Sequence, residues 1–393
     1  MPLLRTRGVL AAFTLACTLA AGTALAQPRQ LLASANDAKV RLVNGVVTPQ
    51  AADNQDSVTL YDIAQSPARL LARVDAPTSV VGPPQSIAIT PDLGAVIVSA
   101  ATRFDPNDRN KVIDGHTLSV IDLAASPPAV VQTVTVGAGP AGLAVSPDGR
   151  MVVVAERSAH GLLVFALEGK RLALKERLAL PERSMPAGVA FTPDGRRLLI
   201  TRDGDNSRVA VYGVDGGTIK ATGREIFTGT RPYDIHVTPD GRWAVVGNVG
   251  SSQGGDADTI TLIDLSAPQP RSVDHAVVGT TAEGVAVSPD SRFAAAVAHD
   301  GSNRAPNHPF HKAQGRLSVF RIDGGRLVLH GSAPMGGWGQ GAAFSADSKR
   351  LYVQSMVERA IAVYSITDGG VVDSGERIAL PGGGAALRAM FQR

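Results

Sequence analysis

Six short apolar runs punctuate this chain, and each ends in a Ser/Thr-Pro-Asp turn or a close variant. They are Ile87-Ala-Ile-Thr-Pro-Asp92, Leu143-Ala-Val-Ser-Pro-Asp148, Val189-Ala-Phe-Thr-Pro-Asp194, Ile235-His-Val-Thr-Pro-Asp240, Val285-Ala-Val-Ser-Pro-Asp290 and Ala342-Ala-Phe-Ser-Ala-Asp347. Their Asp residues stand 56, 46, 46, 50 and 57 positions apart. Periods of this length, built from short strands, indicate a β-propeller.

Each unit reads as four strands. A small apolar run such as Gly188-Val-Ala-Phe191 comes first, and Thr192-Pro-Asp-Gly195 turns the chain. Pro presets φ there, Asp bonds its own backbone, and Gly closes the turn without steric cost. Arg197-Leu-Leu-Ile200 is the second strand and Arg208-Val-Ala-Val-Tyr212 the third. Asp215-Gly-Gly217 then leads into a fourth strand over residues 219–227. Such tight spacing leaves no room for helices.

The two ends complete the count. Val40–Val43, residues 57–62 and residues 69–74 match the second, third and fourth strands of a unit. Residues 384–391 match a first strand. One blade is thus divided between the termini, and the expected fold is all-β: a single seven-bladed propeller over residues 27–393. Pairing the ends in one sheet removes the open edges of the ring.

The first 26 residues stand apart. Arg5 and Arg7 precede an apolar stretch over residues 9–21, and Ala24-Leu25-Ala26 has the form of a cleavage site. This is the pattern of a secretory signal peptide, and it predicts a periplasmic or secreted protein. A lipoprotein reading through Cys17 is the weaker alternative, because Leu15 sits one place too close to the Cys. Cleavage after Ala26 would remove Arg5, Arg7 and the only Cys, leaving a net charge of +3 − 2 = +1. No disulfide framework is available. Near-neutral charge and few basic-aromatic clusters give no drive toward nucleic acid or an anionic membrane. No second apolar run is long enough to span a bilayer.

The repeated Gly/Pro-x-x-apolar-Ala-(Val/Phe)-(Ser/Thr)-Pro-Asp phrase, followed by an apolar strand, resembles YVTN-type (YncE-like) propellers of the seven-bladed lactonase-like superfamily. The resemblance covers residues 38–391 and implies the fold. Such proteins include lactone hydrolases, dehydrogenase heavy subunits, nucleic-acid binders and proteins of unknown role, so the resemblance alone does not choose an activity. Its hydrolases usually carry a His beside the Pro that opens a first strand, and a Glu in a later loop. Here the openings are Pro140-Ala-Gly, Pro186-Ala-Gly and Pro232-Tyr-Asp, without His. The acid-base set that remains is Glu156, His160 and Arg202.

Long, polar loops fall on one face of the expected ring, at residues 103–115, 156–160, 202–207, 248–258, 299–315 and 355–359. The other face has mainly tight turns. The long-loop face is therefore the candidate binding face. Arg103, Glu156, Arg157, Arg202, Asp203, Asp300, Arg304, Glu358 and Arg359 recur near the starts of these loops. Two readings stand side by side: a charged ring that holds an anionic small molecule, or ion pairs that lock blade to blade. His299, His308 and His311 offer a metal site or simply lie in a Pro-rich lid. Asp203, Asp205, Asn206, Asp256 and Asp258 offer calcium ligands or plain turn chemistry. No cofactor is expected, and a divalent metal is the one exception these residues leave open. Trp338, among glycines, stacks on a ligand or plugs the axis. The motif matches Gly137-Ala-Gly-Pro-Ala-Gly142 and Gly250-Ser-Ser-Gln-Gly254 are rejected, since neither opens a helix after a strand. Ser252 is the only nominal nucleophile they offer. The favoured function is a binding or interaction module for a small anionic molecule or a protein partner at the propeller mouth. The alternative is a hydrolase of a lactone or cyclic ester.

Overall fold

A computed structural model describes residues 30–392, apart from 52, 206 and 252–254. The expected signal peptide, Cys17, Asn206 and Ser252 lie outside the described residues. Seven four-stranded antiparallel sheets form a propeller. Blades are numbered by their inner strands: Ile87–Ile89, Pro140–Val145, Pro186–Phe191, Pro232–Val237, Ala282–Val287, Gly339–Phe344 and, for blade 7, Gly383–Phe391. No helix occurs among the described residues.

The repeated phrase folds the same way each time. In all six copies a Ser or Thr hydroxyl donates to the turn carboxylate two residues on, at 2.5–2.6 Å. The same oxygen accepts the N–H that opens the second strand, as Ser146 Oγ does from Met151 at 2.9 Å. The Thr90 and Ser146 hydroxyls, followed by backbone N–H donors, hold Asp92 and Asp148 below the usual carboxylate range. The last turn residue is left-handed, as at Gly195 with φ 69°. Glycine adopts that conformation without a Cβ clash.

The core lies in apolar layers between neighbouring blades. Ile97 and Leu118 of blade 1 meet Leu143, Val152 and Leu163 of blade 2. Leu60 and Val74 of blade 7 meet Ile87 and Val96 of blade 1.

The termini share blade 7, with one correction to the expected strands. Its order is Gly383–Phe391, Gln30–Asp37, Ser57–Asp62, Arg69–Asp75. The second strand is therefore Gln30–Asp37, not Val40–Val43. Gln30–Asp37 is buried on both faces and so carries no alternating pattern. Val40–Val43 alternates because it pairs with Val46–Pro49 in a half-exposed hairpin. Asn44 and Gly45, both at positive φ, make its two-residue turn.

Candidate functional site

The inner strands start at the long-loop face and run down the axis. Blades 2 and 3 open with Ala141-Gly142 and Ala187-Gly188. A Cβ on Gly142 or Gly188 would strike the next blade's carbonyl. Other blades depart from this small pair: blade 4 has Tyr233-Asp234, blade 5 Glu283-Gly284, blade 6 Gln340-Gly341 and blade 1 Gln85-Ser86. Further down, five blades present Ala88, Ala144, Ala190, Ala286 and Ala343, whereas blade 4 presents His236.

Blades 4 and 7 meet across the axis. Arg388 Nη2 lies 3.5 Å from Asp234 Oδ1, and His236 Nε2 lies 3.7 Å from Asp234 Oδ2. Asp234 also accepts the N–H groups of Ile235 at 2.9 Å and of Val285, in blade 5, at 3.0 Å. Burial, then the nearby Arg388 charge, push the His236 pKa down to about 4, against the pull of Asp234.

The mouth above is charged on one side. Asp203 is shared by Arg157 at 2.6 Å and Arg231 at 3.4 Å. Arg157 lies over the Tyr233 ring, 5.5 Å from its centroid. Burial works against the Arg157 charge, but Tyr233 and Asp203 more than offset it and hold its pKa high. Burial, then Glu283, push the Tyr233 hydroxyl pKa upward. On the other side His299 Nε2 lies 2.8 Å from Glu283 Oε2, which also accepts Gln340 Nε2 at 3.3 Å. The His299 and Trp338 rings are 5.3 Å apart. Trp338 is left-handed at φ 50°, its backbone N–H donating to Ser302 Oγ at 2.9 Å.

Several buried polar atoms here have no hydrogen-bond partner among the described residues. They are both amide atoms of Gln85, Gln340 Oε1, both ring nitrogens of His299 and Trp338 Nε1, the approach of His299 Nε2 to Glu283 being close without hydrogen-bond geometry. Each such atom costs roughly 1–3 kcal/mol if left dry. These atoms therefore suit water or a guest rich in donors and acceptors.

The expected charged ring does not close around the mouth. Of its members, Arg157 and Asp203 join the mouth cluster. Glu156 and Arg202 occupy equivalent strand ends, opposite Pro140 and Pro186. Alternation along a strand sends them the other way from Arg157 and Asp203. Glu156 binds Arg177 at 3.0 Å and Arg202 binds Glu225 at 2.7 Å, each within its own blade. His160 closes the turn after Arg157 at φ 50°. Glu156, His160 and Arg202 are thus not brought together as an acid-base set.

The remaining candidates have other neighbours. Arg103 is exposed and lines a cleft of about 410 Å³ with Lys39, Asp56 and Arg109 at the seam of blades 7 and 1. Arg304 Nη1 lies 3.0 Å from His308 Nε2, and the Arg304 carbonyl lies 2.9 Å from His311 Nδ1. Asp300 is paired with Lys312 at 2.8 Å and Arg316 at 3.3 Å. Glu358 accepts the Gly337 N–H at 3.0 Å. Arg359 donates to the Val40 carbonyl at 3.1 Å, and burial and Arg41 lower its pKa. Asp205 pairs with Arg183 at 2.8 Å, and Asp258 accepts the Thr281 N–H at 2.6 Å. Among the described residues, no group of three or more His, Cys, Asp or Glu side chains is disposed to hold a metal ion.

Sequence reasoning missed Arg231, Tyr233, Asp234, Glu283, Gln85, Gln340 and Arg388 as site residues. For those on blades 1, 4, 5 and 6, the signal was present. Each inner-strand residue replaces the Ala or Gly that other copies carry at the same place.

The family model described as lactonase, 7-bladed beta-propeller, matches residues 114–226, from the third strand of blade 1 to the end of blade 3. No curated protein matches the chain. Several solved structures share the fold. A protein from Bacteroides fragilis, described as a candidate 6-phosphogluconolactonase, is 16% identical with a TM-score of 0.69, over 94% of this chain and 99% of that one. The periplasmic gluconolactonase of Pseudomonas aeruginosa is 17% identical with a TM-score of 0.67, over 92% and 99%. The hydrazine synthase of Kuenenia stuttgartiensis is 18% identical with a TM-score of 0.59, over 79% and 90%. At these identities the likeness is one of architecture. The chain has a lactonase-like seven-bladed propeller fold, and such a fold hosts differing chemistries.

Proposed function

We propose that this chain is an exported propeller that binds a small anionic molecule at its axial mouth. One observation carries the reading: Arg157 and Arg231 converge on Asp203 at a mouth where buried polar atoms of Gln85, Gln340, His299 and Trp338 lack hydrogen-bond partners among the described residues. An incoming carboxylate or phosphate can take over part of the pairing that Asp203 now supplies. Small carboxylates and phosphates, gluconate and 6-phosphogluconate included, are to be screened by thermal shift and calorimetry. At least one should bind, and Arg157→Met should weaken it by about tenfold or more, the worth of a charge-assisted hydrogen bond. Binding that ignores Arg157→Met and Arg231→Gln alike would place the ligand elsewhere.

Export rests on the first 26 residues. Mass spectrometry of protein from the native compartment should find Gln27, free or cyclised, at the N-terminus. A lipidated Cys17 would overturn this.

A second reading, lactone hydrolysis, is favoured by the family-model match, by the gluconolactonase among the neighbours and by the Glu283–His299 pair. Glu283 Oε2 lies 2.8 Å from His299 Nε2, close enough to stabilise the imidazolium that forms when the ring takes a proton. His299 would take a proton from water, the hydroxide would add to the lactone carbonyl, and the ring C–O bond would break. The departing ring oxygen would regain the proton from His299, giving the hydroxy acid. A pH-stat screen of glucono-1,5-lactone and related lactones tests it. Turnover should fall by about a hundredfold or more in His299→Gln, as general-base loss implies. Turnover lost in Glu156→Gln or His160→Ala but kept in His299→Gln would move the chemistry to the turn of blade 2.

A further inference from the structure

The seams between blades repeat one register on the short-turn face. In six blades the residue opening the second strand donates its N–H to the turn Ser or Thr hydroxyl: Ala95, Met151, Arg197, Trp243, Phe293 and Arg350. At four seams the side chain there fills the space toward the next blade. Trp243 shares an apolar cluster with Phe320 and Leu327 of blade 5. Phe293 packs on His330, ring centroids 5.0 Å apart, and His330 Nε2 lies 2.8 Å from the Thr367 carbonyl of blade 6. Arg197 and Arg350 donate to the Leu265 and Ile63 carbonyls of the following blades, at 2.9 and 2.7 Å. Between blades 1 and 2, where Ala95 is small, Lys170 of blade 2 reaches back to Asp122 instead.

The seam of blades 2 and 3 has no such filler among the described residues. A cleft of about 770 Å³ remains there, walled by Met151, Val164 and Val214 and edged by Gly216-Gly217. The seam of blades 4 and 5 shows what is missing. Its turn, Gly324-Gly325, has φ 57° and 84°, against 54° and 84° for Gly216-Gly217. A Cβ on Gly325 would lie 3.2 Å from the Trp243 ring, whereas one on Gly217 would meet nothing within 4 Å. The cleft therefore lies where the Trp243 indole lies two seams on. At the seam of blades 7 and 1, a smaller cleft of about 370 Å³ lies beside Leu31. Charges at the rim of the larger cleft are matched. Arg150 acts on Asp148, Lys175 Nζ is 3.5 Å from Glu168, and Arg197 and Arg196 act on Asp194.

We infer that the seam of blades 2 and 3 is a second binding site, for a neutral aromatic molecule of the indole type. Its volume is that of a small-molecule site, and apolar walls that no side chain fills suit a flat ring. The ring lies between Met151 and Val214 beneath Gly217. Val214 holds in blade 3 the place of Leu265 and Ile63, each donating its N–H to the residue just before the strand-opening position. The Leu265 and Ile63 carbonyls accept a guanidinium, so the Val214 carbonyl is the acceptor for the guest's N–H. With the rim charges matched, the site selects by shape and by this one acceptor. It lies on the opposite face from the axial mouth and does not depend on the mouth binding an anion.

Indole itself is the probe, its binding followed by saturation-transfer NMR and calorimetry. It should bind the parent protein. 1-Methylindole, which lacks the N–H, should bind about fivefold more weakly, the worth of one neutral hydrogen bond. Met151→Trp builds the filler of the blade 4 seam into this one. It should remove the binding and leave the melting temperature at or above that of the parent. Gly217→Lys copies the turn of blade 2, where Lys170 stands at φ 66°, and should also close the cleft. It serves if Met151→Trp does not fold. Arg157→Met, at the mouth, should leave indole binding unchanged. A parent protein that takes up no indole at millimolar concentration would overturn the site. So would binding that survives Met151→Trp and Gly217→Lys unchanged, or binding lost in Arg157→Met. Equal affinity for indole and 1-methylindole would overturn the role of the Val214 carbonyl.

Discussion

Removal of residues 382–393 should abolish cooperative folding. The deleted strand, Gly383–Phe391, is the inner strand of blade 7 and pairs along the whole of Gln30–Asp37. Its Ala385, Ala386 and Leu387 are fully buried against blades 1 and 6. Without it, Gln30–Asp37 regains an open edge at the axis, and Arg388 no longer reaches Asp234 across the ring. Every blade packs on two neighbours, so a missing inner strand loosens both seams beside it. The loss should exceed the about 5–15 kcal/mol that holds a typical domain together. Circular dichroism and calorimetry would show no sharp transition. A truncated chain that still melts cooperatively near the full-length temperature would mean that the ring is not closed by this strand.

Asp234→Ala should cost about 3 kcal/mol, the low end for breaking a buried pair, since Arg388 keeps some contact with solvent. The change leaves Arg388 without its carboxylate and the Val285 and Ile235 N–H groups without an acceptor. Arg388→Met in the same chain should recover part of the loss. Denaturant melts that place Asp234→Ala within error of the parent would show that the axial bridge carries no stability. The same cluster sets an acid response. His236 titrates near 4 in the fold against an ordinary 6.5, so the unfolded chain binds more protons between these values. Its contribution is full above 6.5 and is lost as pH falls toward 4. Over that window the loss approaches about 3 kcal/mol. Asp37 acts with the opposite sign, because burial raises its pKa to about 6 despite Lys39 at 3.0 Å. Its contribution is full below 3.8 and is lost as pH rises through about 6. The His236 effect must therefore be read as a difference between parent and His236→Gln. The variant should lose less stability than the parent on acidification from neutral pH to about 4. Parallel curves would show that His236 is not held neutral.

The repeat made the propeller legible in the chain alone. Six Ser/Thr-Pro-Asp turns fold through local hydrogen bonds between hydroxyl, carboxylate and the next strand's N–H, so their spacing is enough to count blades. Residues 384–391 could be assigned to the closing blade for the same reason: the blade lacked an inner strand, and only the far terminus offered one. Partners far apart in the chain had no such local code. Gln30–Asp37 is buried on both faces and shows no alternation, so its place next to the C-terminal strand came only from packing. Glu156-Arg157 and Arg202-Asp203 read as equivalent charged pairs. Which member faces the axis depends on strand register, and that is fixed by the inner strand that each pairs with. Asp234 meeting Arg388, and the hairpin at Gly45 meeting Arg304, join residues from blades that are not neighbours. Closing the ring brings such positions together, and no short-range pattern along the chain records it.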